Sequence, residues 1–162
     1  MAEQQTETYK CIVVVKVRGE ISARRESKET LAMLHLSHSN HGIIIDSRPS
    51  YLGMLQRVHN YVTWGEVTKE TVALMLTKRG KLVGGKALTE ENVQTLGYKS
   101  IDELAEALFT CKVDQRKLAM QPRFRLHPPK KGYKGKTKKS FQAGGEAGYR
   151  GEAINKLVQR MV

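Results

Sequence analysis

Cysteine is nearly absent from this chain: Cys11 and Cys111 are the only two in 162 residues. With no Cys-x-x-Cys spacing, a disulfide framework is not expected, and both read as reduced thiols of a cytoplasmic protein. Long apolar runs are also missing, and none approaches the roughly 20 residues of a membrane span. The opening stretch, Met1-Ala-Glu-Gln-Gln-Thr-Glu-Thr8, has neither a basic nor an apolar region, so it does not read as a secretory leader. Residues 1–8 read as a disordered N-terminus. Acidic residues become scarce late in the chain: residues 1–111 hold 14 basic and 13 acidic side chains, whereas residues 112–162 hold 14 and 3. Nearly all of the net charge of +12 is therefore C-terminal, and its sign favours a polyanionic partner.

What is present suffices for a folded domain, since 40% of the residues are hydrophobic. Tyr9-Lys-Cys-Ile-Val-Val-Val-Lys-Val17 is a continuous β-branched run, as expected for a strand buried on both faces. Leu31 and Leu34 at helical spacing predict a helix over 27–39, with Ser27 as N-cap. Residues 42–46 predict a second strand. Ser47 and Pro49 open a second helix ending near Asn60, with Leu52, Leu55, Val58 and Val62 along one side. Residues 61–67 predict a third strand, which gives strand, helix, strand, helix, strand over 9–67.

Beyond this core, Thr68 caps an expected helix carrying Val72, Met75 and Leu76 and closing at Gly80. A short helix over 89–96 ends at Gly97, and Ser100-Ile-Asp-Glu103 has the spacing of a capping box before a further helix. Residues 68–110 thus read as a helical extension of the core, and 111–162 as a basic extended segment ending in a helix. Within the latter, 123–127 predicts a strand, and the twenty residues after it are expected to have little regular structure. Ile154, Leu157, Val158 and Met161 then stand at i, i+3, i+4 and i+7, an amphipathic helix that pins the far end of the basic segment.

The strongest chemical signal is Lys130-Lys-Gly-Tyr-Lys-Gly-Lys-Thr-Lys-Lys139, with six lysines in ten residues, no acid, and Tyr133 and Phe141 as aromatic neighbours. Lysine ammoniums displace counterions from phosphates, glycines permit close backbone approach, and rings stack on splayed bases. The competing reading is a solvated tail or a localisation signal. A second basic set, Arg18, Arg24, Arg25 and Lys28, surrounds the first strand-to-helix loop, with His35 and His38 further along; it reads equally well as an ordinary charged loop offset by Glu20, Glu26 and Glu29. Arg48, Arg57, Arg123, Arg125 and Arg150 complete the candidate RNA contacts.

Three apparent motifs dissolve on inspection. His35, His38 and His41 are three apart, but no carboxylate or thiol follows at ligand spacing, so no metal is expected. Gly80-Lys-Leu-Val-Gly-Gly-Lys86 matches the spacing of a phosphate-binding loop, yet it follows a helix and Ala87 replaces the Ser or Thr that would hold magnesium. Gly144-Gly-Glu-Ala-Gly-Tyr-Arg-Gly151 lacks the preceding strand of a dinucleotide site. No catalytic constellation emerges: Asp46 has no nearby His, and the acid pairs Glu90-Glu91 and Asp102-Glu103 are explained by first helical turns. No enzyme activity, cofactor or small-molecule substrate is expected.

Several of these stretches carry a family resemblance. Residues 9–19, Thr30-Leu with Leu34, Leu36 and Asn40, and Pro49-Ser-Tyr-Leu-Gly-Met-Leu55 resemble the L-thirty family of large-subunit ribosomal proteins. The helical insert and the ending from Arg125-Leu-His-Pro-Pro to Gly-Glu-Ala-Ile-Asn155 are similar to its archaeal branch, related to the eukaryotic L-seven protein, whose long basic N-terminal extension has no counterpart here. The resemblance implies an α+β, ferredoxin-like βαβαβ core on the ribosome, contact with the large rRNA near the 5S rRNA, neighbouring ribosomal proteins, and no enzyme activity. On that reading the lysine segment threads between RNA elements, and deleting 130–141 should remove most RNA affinity without unfolding residues 9–110.

Overall fold

A computed structural model describes residues 9–162; the expected disordered stretch, 1–8, lies outside the described residues. Strand β1 (Cys11–Lys16) is buried along its whole length, as its unbroken apolar run predicts. It pairs antiparallel with both β2 (His41–Asp46) and β3 (Val62–Glu66), so β2 and β3 run parallel to each other on either side of it. Helix α1 (Arg25–Met33) joins β1 to β2, and α2 (Pro49–Arg57) joins β2 to β3. This is the split βαβ arrangement of a ferredoxin-like core.

Alternation along β1 divides the interior. Ile12 and Val14 face α1 and α2 together with Leu31, Leu34, Leu55, Val58 and Trp64. Cys11, Val13 and Val15 face the opposite layer, built from α3 (Lys69–Arg79), α5 (Ile101–Phe109) and the C-terminal helix α6 (Ala153–Met161), with α4 (Glu90–Val93) at its margin. A sheet covered on both faces has no polar side to show, which is why its central strand carries no polar alternation. The expected amphipathic stripe of α6, Ile154, Leu157, Val158 and Met161, is fully seated in this second layer.

Helix boundaries differ from expectation where the terminating residue is not glycine. Helix α1 starts at Arg25, so Ser27 lies inside its first turn, and the N-cap Arg24 makes no side-chain capping bond. It stops at Met33: the Leu36 amide donates to the Leu31 carbonyl at 2.9 Å and the His35 amide to the Ala32 carbonyl at 3.0 Å. His35 takes a left-handed conformation, φ +58°, normally left to glycine. The turn returns Leu36 to the core beside Leu31, and that apolar contact is what a sequence without glycine conceals. Helix α2 opens on Pro49 as expected, but its cap is Arg48; the Ser47 hydroxyl instead accepts the Lys10 amide at 2.8 Å.

The later caps follow the sequence. Thr68 accepts the Thr71 amide, and Ser100 accepts the Glu103 amide, while the Glu103 carboxylate takes the amide of Lys99. Replacing Ser100 with Ala should cost about 1 kcal/mol in a urea unfolding curve. Gly80 closes α3 at φ −61°, so its need for glycine is one of space: a Cβ would stand 2.4 Å from the Leu76 carbonyl oxygen.

The basic C-terminal segment is more ordered than expected. Strand β4 (Phe124–Arg125) pairs antiparallel with β2, where Phe124 is fully buried. Residues after it, expected to lack regular structure, form β5 (Lys136–Ser140), and the glycine-rich stretch forms β6 (Gly145–Tyr149). Strand β6 lies parallel to β3, giving a six-stranded sheet in the order β4-β2-β1-β3-β6-β5. Glycine makes the seam possible: a Cβ on Gly65 would fall 1.9 Å from the Gly151 carbonyl oxygen, and one on Gly145 would fall 2.1 Å from that of Lys139.

Candidate nucleic-acid interface

Strand directions decide which basic residues meet. Strand β1 ends where β2 and β3 begin, with Val15 opposite Gly42 and Lys16 opposite Val62. The first loop, the turn between α1 and β2, and the chain leaving β4 all emerge at this end of the sheet. Buried Lys16 braces it: its ammonium donates to Glu20 at 2.9 Å and to the Ser37 carbonyl at 3.1 Å, joining β1 to both loops. The Arg18 guanidinium covers the ring of Tyr61 at 4.9 Å. Arg24, Arg25 and Lys28 are exposed. The Arg25–Glu29 pair, at 2.7 Å between two exposed side chains, is weak and easily exchanged for a phosphate.

A second group gathers at the β4 edge. Arg116, which the sequence reading did not single out, donates to the Met33 carbonyl at 3.2 Å and lies 5.2 Å over the Tyr51 ring. Arg116 and Arg123 lower the pKa of His35, after burial, which is the larger cause. His41 is buried at the start of β2, its ring 5.1 Å from that of His38. Burial, then Arg123, His38, Arg125 and Lys16, push its pKa down to about 4. The unfolded chain therefore binds a proton at His41 that the folded chain refuses, and stability falls as pH drops from about 6.5 to about 4. His41→Gln should gain on the parent across that window and run parallel to it above pH 7, as read by urea midpoints.

The lysine segment crosses the same end of the sheet and is fastened along its backbone. The Lys130 amide donates to the Arg160 carbonyl at 3.1 Å, and the Arg160 guanidinium returns to the carbonyls of Lys130, at 2.8 Å, and of Gly132. The Tyr133 hydroxyl donates to Asn40 at 3.1 Å, and the Gly135 amide to Glu146 at 2.9 Å. Burial, then Glu146, push the Tyr133 phenol up to about 12. Tyr133 is thus a fixing residue with little ring free to stack. All six lysines, Lys130, Lys131, Lys134, Lys136, Lys138 and Lys139, are exposed. On β5, the outer strand, lysines also keep the sheet edge from pairing with another chain.

A groove beside α6 is lined by Lys134, Phe141, Lys156 and Arg160. Lys156 and Arg160 were missed in the sequence reading, although their i, i+4 spacing opposite the apolar stripe of α6 marks one basic face, on which Lys156 is exposed and Arg160 half-buried. Phe141 is 38% exposed, with the Arg150 guanidinium 4.9 Å over its ring.

The remaining candidates differ in placement. Arg48 lies at the opposite end of the sheet, paired with Asp46 at 2.6 Å and flanked by the rings of Tyr9 and Tyr51. Arg57 is exposed at the C-terminal end of α2, from which the chain enters β3 at the same end of the sheet as the first loop. Arg150 is buried and committed internally: it donates to Glu146 at 2.7 Å and to Thr63 at 2.7 Å. The stretch 80–86 is a tight hairpin in which the Leu82 amide donates to the Lys86 carbonyl at 2.8 Å, a connecting loop with no helix opening at Lys86.

Similarity to known proteins accords with this geometry. Residues 12–62 match the family model described as ribosomal protein L30p/L7e. The large ribosomal subunit protein uL30 of Methanopyrus kandleri is 47% identical over 150 residues, covering 90% of this chain and 100% of that protein. Those of Methanocorpusculum labreanum (46% identical, 91% of this chain and 97% of that protein) and Thermofilum pendens (42%, 93% and 97%) are similar over the same extent. With identity well above chance over nine-tenths of its length, the chain belongs to the L30p/L7e family of ribosomal proteins.

Proposed function

We propose that this protein is a structural constituent of the large ribosomal subunit that holds rRNA against one end of its sheet. It is a ribosomal structural component and not an enzyme; its partners are rRNA and ribosomal proteins, and its place of work is the cytoplasmic ribosome. The observation that carries the site assignment is the lysine segment: six exposed ammoniums on a backbone tied to α6, Asn40 and Glu146. A rigid backbone presents charge at fixed spacing, so little ordering entropy opposes binding.

Arg18, Arg24, Arg25, Lys28, Arg125 and the six lysines form the principal phosphate-binding set, with His35, His38, Arg116 and Arg123 at the β4 edge, and Lys156 and Arg160 extending it along α6. Arg150 and Tyr133 support this surface from within. Proximity to the 5S rRNA is a finer part of the proposal, supported by the resemblance of the insert and C-terminal ending to the archaeal branch.

Sedimentation of cell extract through a sucrose gradient at moderate salt tests the assignment. One copy per large subunit is expected, and recovery only in light fractions overturns it. Ultraviolet crosslinking of those subunits reads the finer part, through the presence or absence of 5S rRNA among the adducts.

A further inference from the structure

The groove beside α6 sets an aromatic ring among cations. Its open volume is about 440 Å³, within the range of sites that take a small ligand. Phe141 follows β5 directly, in a single tight helical turn that closes at Gly144, where φ is +80°. The Arg150 guanidinium, itself held by Glu146 and Thr63, lies 4.9 Å from the ring centroid and covers one face of the ring. The 38% exposure of Phe141 therefore belongs to its other face and its edge. A lone apolar side chain at a surface is ordinary, but a ring steadied from beneath by a buried cation is a fixed platform. Ala153 and Leu157 add apolar surface on the α6 side.

The free charge in the groove is of one sign. Glu146, the one acid among its lining residues, is buried and committed to Arg150 at 2.7 Å and to the Gly135 amide at 2.9 Å. Arg160 is committed to the carbonyls of Lys130 and Gly132. That leaves Lys134 on the lysine segment and Lys156 on α6, both exposed and neither ion-paired among the described residues. A free ring face, two unpaired ammoniums and this volume suit a flat aromatic ring that carries phosphate. We propose that the groove takes a single nucleotide extruded from an rRNA helix, its base stacked on the free face of Phe141 and its flanking phosphates held by Lys134 and Lys156. This rests on the rRNA-binding role proposed for the same surface and deepens it. Phosphate contacts supply affinity without regard to sequence, whereas the groove selects a bulged base, because the faces of a paired base are already covered by its neighbours in the stack.

Two labelled RNA hairpins are the probes, one fully paired and one with a bulged adenosine in an otherwise identical stem, titrated with the purified full chain at several salt concentrations and read by fluorescence anisotropy. The parent should bind the bulged hairpin roughly tenfold more tightly, the effect of stacking one base. Both hairpins should show the same steep dependence on salt. Phe141→Leu keeps an apolar cover over Arg150 but has no π face. It should erase the preference while leaving affinity for the paired hairpin and the salt slope unchanged, which also shows that the variant has folded. Phe141→Tyr should retain the preference, and Lys156→Gln should instead lower the salt slope by about one. Equal binding of the two hairpins by the parent, a preference that survives Phe141→Leu, or a slope unmoved by Lys156→Gln overturns the proposal and leaves the wider phosphate-binding surface standing. A flat salt response with both hairpins would remove that surface and the groove with it.

Discussion

Titrated onto large-subunit rRNA, the isolated protein should lose affinity on the order of 10³-fold or more between 50 and 200 mM salt, the response expected of about 6 to 10 phosphate contacts. The number follows from the surface: the first loop and the lysine segment share one end of the sheet, and their ammonium and guanidinium groups are exposed. Neutralising Lys130, Lys131, Lys134 and Lys136 together with Gln should reduce the slope of log affinity against log salt by about 3 to 4, roughly one per lysine. Arg48→Gln, at the far end of the sheet and already paired with Asp46, should leave the slope unchanged. A parent protein with a flat salt response would mean that binding rests on something other than phosphate charge. Substitution is a cleaner test than removing 130–141. That deletion takes away β5 and the anchors to α6, Asn40 and Glu146, so the expectation that residues 9–110 would stay undisturbed does not suit this fold.

The largest single-residue effect on stability is expected at Arg150. Its guanidinium meets the Glu146 carboxylate, the Glu146 carbonyl and the Thr63 hydroxyl, and Thr63 in turn donates to the Gly148 carbonyl at 2.9 Å. Strand β6 meets β3 through only two register pairs, Thr63 with Gly148 and Trp64 with Tyr149, so this buried network does much of the joining. Arg150→Met leaves Glu146, 6% exposed, without its counter-charge, at a cost of about 3–5 kcal/mol. For a chain of this size that corresponds to a thermal midpoint lower by roughly 10 °C. Adding Glu146→Gln should recover part of the loss, because no unpaired charge then remains in the interior. A single variant losing less than about 1 kcal/mol would show that water reaches the carboxylate.

Both expectations turn on residues whose identity the sequence displayed and whose role it did not. Arg150 sits in a glycine-rich stretch of the basic C-terminal segment and reads as one more RNA contact; only the insertion of β6 beside β3 turns it inward. Tyr133, flanked by lysines, reads as a stacking ring, yet its hydroxyl reaches Asn40, 93 residues away. Arg116, Lys156 and Arg160 were overlooked for the opposite reason. They lie outside the lysine-rich run, and they join the basic surface through the packing of α6 and of the loop after α5.

The core elements were legible because their signals are local. A β-branched run, leucines at helical spacing, Pro49 opening a helix and Ser or Thr at a cap each act within a few residues. The end of α1, which diverged from expectation, has His35 at a left-handed position, where long-range burial of Leu36 outweighs local preference.

By itself, then, the sequence determined the βαβαβ order, the amphipathic C-terminal helix and the polyanionic partner, since each rests on composition or on spacing along the chain, and it pointed to the family through resemblance. Only the tertiary structure decided that the lysines stand on a fixed strand and loop instead of an irregular strap pinned at both ends, and that Arg150 is internal. Those facts depend on which strands pair and which backbones approach, as Gly65 and Gly151 do, and such nonlocal contacts leave no period in the sequence to read.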